Sequence, residues 1–323
     1  MLKIKIYILA VLTILGFFSN GLVNAQEKPN VLGITMKNVY DAFGKEGKGL
    51  KQDFGFSCII NYKGKMILFD SGTDAKIFQS NLKVMKIDLS KIDIAIVSHG
   101  HYDHIGGFDY LLEINPKVKI YLPNDFFLLG APIKFPFRET EPEVAKTLPK
   151  EEQYFRGERD LEGMITVPTG RFWKSNVEYL TEAKEVLPGV TLIPTTSKLM
   201  GTFIKYPPFE DNPQLIGMPE LSAAFATEKG EILLSGCSHS TIETIIQETQ
   251  KICKDKIYLV AGGFHLIPYG RDYITSLAKR MHDEYGVESV APAHCTGQLG
   301  FSIFKSIYGN EYKFFGLGET LIL

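Results

Sequence analysis

The stretch "SHGHYDHIGG" at residues 98–107 decides the fold of this 323-residue chain. It places three of the seven histidines, His99, His101 and His104, within six residues, together with Asp103. The apolar run "IDIAIVS" ahead of it predicts a buried strand. Side chains alternate along extended backbone, so His99 and His101 point the same way, toward one ion. Asp103 and His104 follow as the chain turns and can bind a second ion, and imidazole and carboxylate suit zinc, manganese or iron.

Two strand pairs with the same plan lie on either side of the chain's middle. Residues 57–72, "SCIINYKGKMILFDSG", predict a hairpin around Lys63-Gly64, and residues 222–236, "SAAFATEKGEILLSG", predict another around Lys229-Gly230. Buried strands and amphipathic helices follow the second hairpin at 241–253, 257–266, 271–285 and 287–294. Hairpins plus strand–helix alternation predict an α/β protein with mixed sheets and two related halves.

The first 25 residues have the order of a signal peptide. Lys3 and Lys5 precede an apolar run over 6–18, and a small-residue site ends at Ala25. We therefore expect an exported protein, periplasmic or secreted, whose mature chain (26–323) is one domain with no membrane contact. The formal charge of −2 gives no electrostatic reason for nucleic-acid binding.

The middle of the chain, about 123–218, differs from the rest in composition. It is rich in Pro, Phe and charge, as in "YPPFEDNPQLIGMPE" over 206–220, and its prolines break regular structure. We interpret it as an insertion that shapes a pocket for a small-molecule substrate. A passive surface excursion is the alternative.

Five further motifs, together with the histidine motif, resemble those of a known family. "DFGFS" (53–57), Asp70-Ser71-Gly72, "SGCSH" (235–239), "GGFHL" (262–266) and "PAHCTG" (292–297) accompany the H-x-H-x-D-H pattern. Together they resemble the metallo-β-lactamase superfamily, in the branch of the dihydropterin–aminobenzene ribosyl phosphate synthases. The resemblance implies an αββα sandwich of two mixed sheets with outer helices.

The resemblance also implies roles for individual residues. His99, His101 and His239 would hold one ion, and Asp103, His104 and His294 a second. Asp70 would orient the metal-site loop, and Asp103 would also orient the reacting group or receive a proton. Cys237 stands where related hydrolases carry a bridging aspartate. It is either a ligand, a buried core cysteine, or the partner of Cys295 in a disulfide.

The function we expect is an exported hydrolase, in which a metal-bound hydroxide attacks a phosphoester or a cyclic ester. The cofactor would be one or two Zn²⁺ ions, with Mn²⁺ or Fe²⁺ as alternatives. Substrate contacts are expected from His265, Ser57, Glu220 and Thr296. Two alternatives stay open: a synthase-like transferase of the branch just named, and a non-catalytic protein that binds a metal or a small ligand.

Overall fold

A computed structural model describes residues 33–323, apart from 46, 48, 126–128, 132, 137–146, 150–163, 168–171, 173–174, 198–202 and 205–214. The predicted signal peptide and much of the middle segment lie outside the described residues. Within the described ranges, no helix combines the length and apolar character needed to cross a membrane.

The strands in chain order are β1 Ile34–Tyr40, β2 Ser57–Tyr62, β3 Lys65–Phe69, β4 Ile94–Ile96, β5 Lys119–Pro123, β6 Ile133–Pro136, β7 Met164–Val167, β8 Val177–Leu180, β9 Lys184–Leu187, β10 Val190–Ser197, β11 Phe203–Ile204, β12 Leu215–Ile216, β13 Met218–Thr227, β14 Gly230–Ser235, β15 Ile257–Gly263, β16 Ser289–Ala293 and β17 Thr320–Ile322. The α-helices are α1 Ala75–Val84, α2 Tyr102–Ile105, α3 Phe108–Ile114, α4 Ile242–Ile252, α5 Arg271–Asp283 and α6 Gly297–Tyr308. Short 3₁₀ helices cover Leu89–Lys91, His294–Thr296 and Gly309–Glu311.

Two mixed sheets form the centre of the fold. One has the order β17-β1-β2-β3-β4-β5-β8, and the other has the order β16-β15-β14-β13-β10-β9. In the first, the β2–β3 hairpin is antiparallel and β4 and β5 continue in parallel. In the second, the β13–β14 hairpin is followed in the same way by β15 and β16. Both predicted hairpins and the two related halves are thus confirmed.

Three apolar layers hold the sandwich together. Buried residues of both sheets, among them Phe69, Phe225 and Leu234, form one cluster between the sheets. A second cluster joins the first sheet to α1 and α3, and a third joins the second sheet to α4, α5 and α6. This gives the expected αββα layering, because each sheet buries one face against the other sheet and one against helices.

The prediction of an insertion over about 123–218 is corrected in part by the structure. Residues 177–197 lie inside the predicted insertion, yet β8 is a strand of the first sheet, and β9 and β10 are strands of the second. β10 pairs with β13 over the whole of Val190–Ser197. This part is therefore integral to the sandwich, because β8 pairs with β5 in the first sheet and β10 pairs with β13 in the second. The pocket-shaping role of the remainder stays a prediction.

Candidate metal centre

Polar side chains from both sheets meet at one edge of the sandwich. Asp70 follows β3, His99 follows β4, Cys237 and His239 follow β14, His265 follows β15 and His294 follows β16. β3 and β4 are parallel, as are β14, β15 and β16. The carboxyl ends of parallel strands share an edge, so side chains distant in sequence come together there.

The first ligand group consists of His99, His101 and His239. His99 Nε2 lies 3.1 Å from His101 Nδ1 and 3.1 Å from His239 Nε2. His99 and His239 are buried, while His101 is partly open to solvent. The three ring nitrogens therefore converge on one point near the solvent-exposed side of the site, as predicted for the first ion site.

The second ligand group consists of Asp103, His104 and His294. Asp103 Oδ2 lies 3.6 Å from His104 Nε2 and 3.3 Å from His294 Nε2. The two groups are neighbours, because the rings of His99 and His104 have centroids 4.2 Å apart. The structure thus brings all six predicted ligands together in the two sets inferred from the sequence.

Asp70 controls which ring nitrogens face the ligand groups. Its Oδ2 accepts hydrogen bonds from His104 Nδ1 at 2.7 Å and from Ser98 Oγ at 2.6 Å. A hydroxyl has one proton, so Ser98 Oγ must accept the bond from His99 Nδ1, 2.9 Å away. Both histidines therefore carry their proton on Nδ1, which leaves Nε2 as a lone pair toward the centre. This supports the orienting role expected of Asp70.

The charge states suit a cation. Burial, reinforced by the neighbouring imidazoles, holds the pKa of His99 well below its usual range. The same causes lower the pKa of His239 to about 2. Burial alone would raise the pKa of Asp103, but the adjacent His294 and His104 outweigh burial and hold it below its usual range. Neutral imidazoles and an ionised carboxylate are the forms that bind metal.

His294 supplies a further test of whether a metal fits. Both of its ring nitrogens are buried without a hydrogen-bond partner among the described residues. Its Nε2 lies near Asp103 Oδ2 at 3.3 Å but is not aligned for a hydrogen bond. Burial opposes protonation of His294, yet Cys295, Asp103 and Asp41 together raise its pKa to about 9. The negative charge around His294 therefore holds a proton on the imidazole, and a metal ion would take the place of that proton.

Two carboxylates position the ligand loops. Glu220 accepts hydrogen bonds from the backbone N–H groups of His239 and Ser240. Asp41, which sequence reasoning missed, accepts the backbone N–H of His294 at 3.2 Å. The signal for Asp41 was an acidic residue directly after the apolar end of β1. The roles of both carboxylates are the same: each holds the backbone at a ligand.

The residues predicted to contact substrate lie around the ligand groups. Ser57 Oγ donates to the carbonyl oxygen of Asp70, and Thr296 Oγ1 accepts from the Phe264 N–H. Both are buried, so their visible role is to support loops. The His265 ring lies 4.4 Å from that of His239. Substrate contact by these residues and by Glu220 stays a prediction.

Cys237 lies beside the second ligand group, with its Sγ 3.2 Å from His104 Nε2. It is a free thiol, and so is the neighbouring Cys295. The expected alternative of a disulfide between them does not describe this structure.

Backbone strain concentrates at this edge. Asp70, Ser238, His265 and His294 all have positive φ angles, between 47° and 66°. This left-handed region is uncommon for residues other than glycine, and it persists where surrounding contacts enforce it. Asp70, His265 and His294 follow strands and have their side chains at the histidine groups, whereas Ser238 Oγ donates to the carbonyl oxygen of Gly263. No pattern in the sequence predicted these left-handed backbone conformations.

Comparison with known proteins agrees with the fold. The family model described as the metallo-β-lactamase superfamily matches residues 50–199. A crystal structure of a metal-dependent hydrolase of the β-lactamase superfamily superposes with a TM-score of 0.64, covering 90% of this chain and 99% of that one at 22% identity. The metallo-β-lactamase fold protein YhfI from Bacillus subtilis gives 0.50 at 12% identity, covering 90% of this chain and 100% of its own. These two likenesses concern the fold alone.

The chain belongs to the metallo-β-lactamase superfamily. Within it, the chain is similar to the 7,8-dihydropterin-6-methyl-4-(β-D-ribofuranosyl)-aminobenzene-5′-phosphate synthase of Methanocaldococcus jannaschii. The two are 31% identical over 268 residues, which is 80% of this chain and 84% of the synthase. The resemblance recognised from the sequence motifs is thereby confirmed.

Proposed function

We propose that this protein is an exported metal-dependent hydrolase acting on a phosphoester or a cyclic ester. The observation that carries the proposal is the pair of adjacent ligand groups, one of three imidazoles and one of two imidazoles and a carboxylate. When bound, zinc or a similar ion polarises an oxygen under attack and lowers the pKa of water toward ~7.

The chain's own residues contribute position and charge. Asp70 and Ser98 keep two imidazoles in the ligand tautomer, and Glu220 and Asp41 hold the loops of His239 and His294. Asp103 stays ionised because its neighbours lower its pKa. It therefore suits binding a cation and orienting the reacting group better than receiving a proton. His101 is the partly open member of the first group, so substrate would approach from its side.

The test is turnover by the mature chain (26–323) loaded with Zn²⁺, Mn²⁺ or Fe²⁺. The substrates are nitrophenyl phosphate mono- and diesters and a set of lactones. His239→Ala removes a ligand, and His282→Ala is the matched control, because His282 is exposed on α5 and pairs with Asp283. We expect His239→Ala to lose at least ~100-fold in rate, because metal activation is worth several kcal/mol and each ~1.4 kcal/mol is tenfold in rate. His282→Ala should keep its rate. Absence of turnover with every metal, or equal rates in the two variants, contradicts the proposal.

A second candidate is a synthase-like transfer reaction. The 31% identity to the synthase over most of both chains favours it. Purified protein would then join a pterin to an aminobenzene ribosyl phosphate, and mass spectrometry of the mixture would detect the product. Tight metal binding without either activity would instead support a non-catalytic binding protein.

Export separates the two candidates further, because pterin precursors are cytoplasmic. The order of residues 1–25 supports export. Fractionation of cells expressing the full chain, with the N-terminus read by mass spectrometry, tests this. A chain beginning at residue 26 outside the cytoplasm supports the hydrolase, whereas an uncleaved cytoplasmic chain favours the synthase-like reaction.

A further inference from the structure

Two buried thiols lie side by side behind the histidine groups. Cys237 Sγ and Cys295 Sγ are 3.3 Å apart, and the residues are 3% and 4% exposed. The two cysteines follow different strands: Cys237 follows β14, and Cys295 lies in the 3₁₀ helix after β16. Neither is used by the two predicted ligand groups.

The separation of the sulfurs distinguishes two arrangements. A disulfide requires about 2.03–2.05 Å, so these sulfurs are about 1.3 Å too far apart. Two thiolates on one tetrahedral zinc, with Zn–S bonds of about 2.3 Å, are roughly 3.8 Å apart. The observed 3.3 Å needs only about 0.5 Å of adjustment to reach that value. The two thiols are thus not joined covalently but lie at hydrogen-bond distance, and a movement of about 0.5 Å would let both sulfurs reach one ion.

His265 adds a third donor to the pair. Its Nδ1 is buried and has no hydrogen-bond partner among the described residues. Its backbone N–H donates to Cys295 Sγ at 3.3 Å, which favours a charged sulfur. One ligand atom from each of Cys237, His265 and Cys295 lies within 4.8 Å of the other two.

Gly263 leaves the room that this cluster needs. A Cβ at that position would lie 2.8 Å from Cys295 Sγ and 2.3 Å from the carbonyl oxygen of Gly236. Any side chain at Gly263 would therefore displace the sulfur. The thiols occupy space that the backbone keeps open.

We propose that Cys237, Cys295 and His265 form a third metal site that takes one thiophilic ion, such as Zn²⁺, Cd²⁺ or Cu⁺. Two sulfurs and one imidazole select soft ions, unlike the two imidazole-based groups beside them. Binding releases the two thiol protons to solvent. Because Cys237 Sγ is 3.2 Å from His104 Nε2, the ion lies against the second ligand group. His265 then acts as a ligand rather than as the substrate contact expected from the sequence.

The experiment is a Cd²⁺ titration of metal-free mature protein, followed by the near-ultraviolet thiolate-to-cadmium charge-transfer absorbance. The variants are Cys295→Ser and His265→Ala, with Cys253→Ser as the matched control, because Cys253 is a free thiol outside the cluster. We expect one equivalent of Cd²⁺ to complete the band. Cys295→Ser should remove about half of its intensity and His265→Ala should keep the intensity. Each should weaken binding tenfold or more, since even outer partners of a ligand change affinity by roughly 10–100-fold.

Three results would overturn the proposal. One is a band that survives unchanged in Cys295→Ser, which would make Cys237 a ligand of the histidine groups alone. Another is the absence of any thiolate band. The third is a Cys237–Cys295 disulfide in protein purified without reductant, shown by thiol titration. If Cys295→Ser fails to fold, His265→Ala leaves both thiols in place and decides the question. The readout needs no turnover, so failure of the proposed hydrolase activity leaves this test intact.

Discussion

Asp70→Asn is the substitution that tests the logic of the centre most directly. The Asp70 carboxylate accepts three hydrogen bonds, from the Ser98 N–H, the Ser98 hydroxyl and His104 Nδ1, all between 2.6 and 2.7 Å. An amide has one acceptor oxygen and one donor group. When the amide oxygen takes the Ser98 N–H, the NH₂ group faces His104 Nδ1 and Ser98 Oγ. His104 then moves its proton to Nε2, toward the ion.

The expected cost follows from the role of such partners. Losing a group that orients a metal ligand reduces affinity by roughly 10–100-fold, or about 1.4–2.8 kcal/mol. Both ligand groups should weaken, because Asp70 acts on His104 directly and on His99 through Ser98. Zinc competition against a chromophoric chelator measures the loss. Nitrogen-15 NMR of His104 reports the change of tautomer.

Asp93→Asn is the matched control. Asp93 precedes β4 at the end opposite Ser98 and accepts from Lys65 Nζ and the Met66 N–H. It should bind zinc like the original protein. The reasoning is refuted if Asp70→Asn keeps its zinc affinity within about threefold, or if Asp93→Asn loses as much.

Three other changes have defined outcomes. Gly236→Ala should weaken zinc binding and lower the melting temperature, because its Cβ would lie 2.2 Å from Ser98 Oγ; unchanged zinc affinity would contradict this. Phe225→Ala should destabilise the fold by about 3–5 kcal/mol in urea unfolding, since the ring is fully buried between the sheets; a loss below about 1 kcal/mol would show that the core collapses around the cavity. Burial, with Asp255 nearby, raises the pKa of Glu231. The Glu231 carboxyl group therefore contributes to stability at low pH, where it is protonated, and this contribution is lost as pH rises through the folded pKa. Glu231→Gln should therefore melt higher than the original protein at pH 8 and equally at pH 4, and a difference that is the same at both pH values would refute the assignment.

Much of the fold was predictable because its signals are local. The hairpins at 57–72 and 222–236 show strand patterns around a Lys-Gly turn, and the helices of the second half show a regular apolar face. His99, His101, Asp103 and His104 sit in one short motif, so their proximity needs no long-range contact. His239 and His294 required the resemblance to a family, because 140 residues separate His239 from its neighbour His99.

The sequence by itself determined the class of fold and the short motif that holds His99, His101, Asp103 and His104, and the resemblance to a family supplied the other two ligands and the role of Asp70. Tertiary structure alone decided which groups support them, because those contacts join residues far apart in the chain. Asp41 meets the backbone of His294 across 253 residues, and Cys295 meets Cys237 across 58. It also decided that residues 177–197 are strands of the sheets, since strand pairing depends on neighbours that a local pattern does not contain. Periodicity shows which face of an element is buried, whereas the partner on that face is set only when the sheets pack.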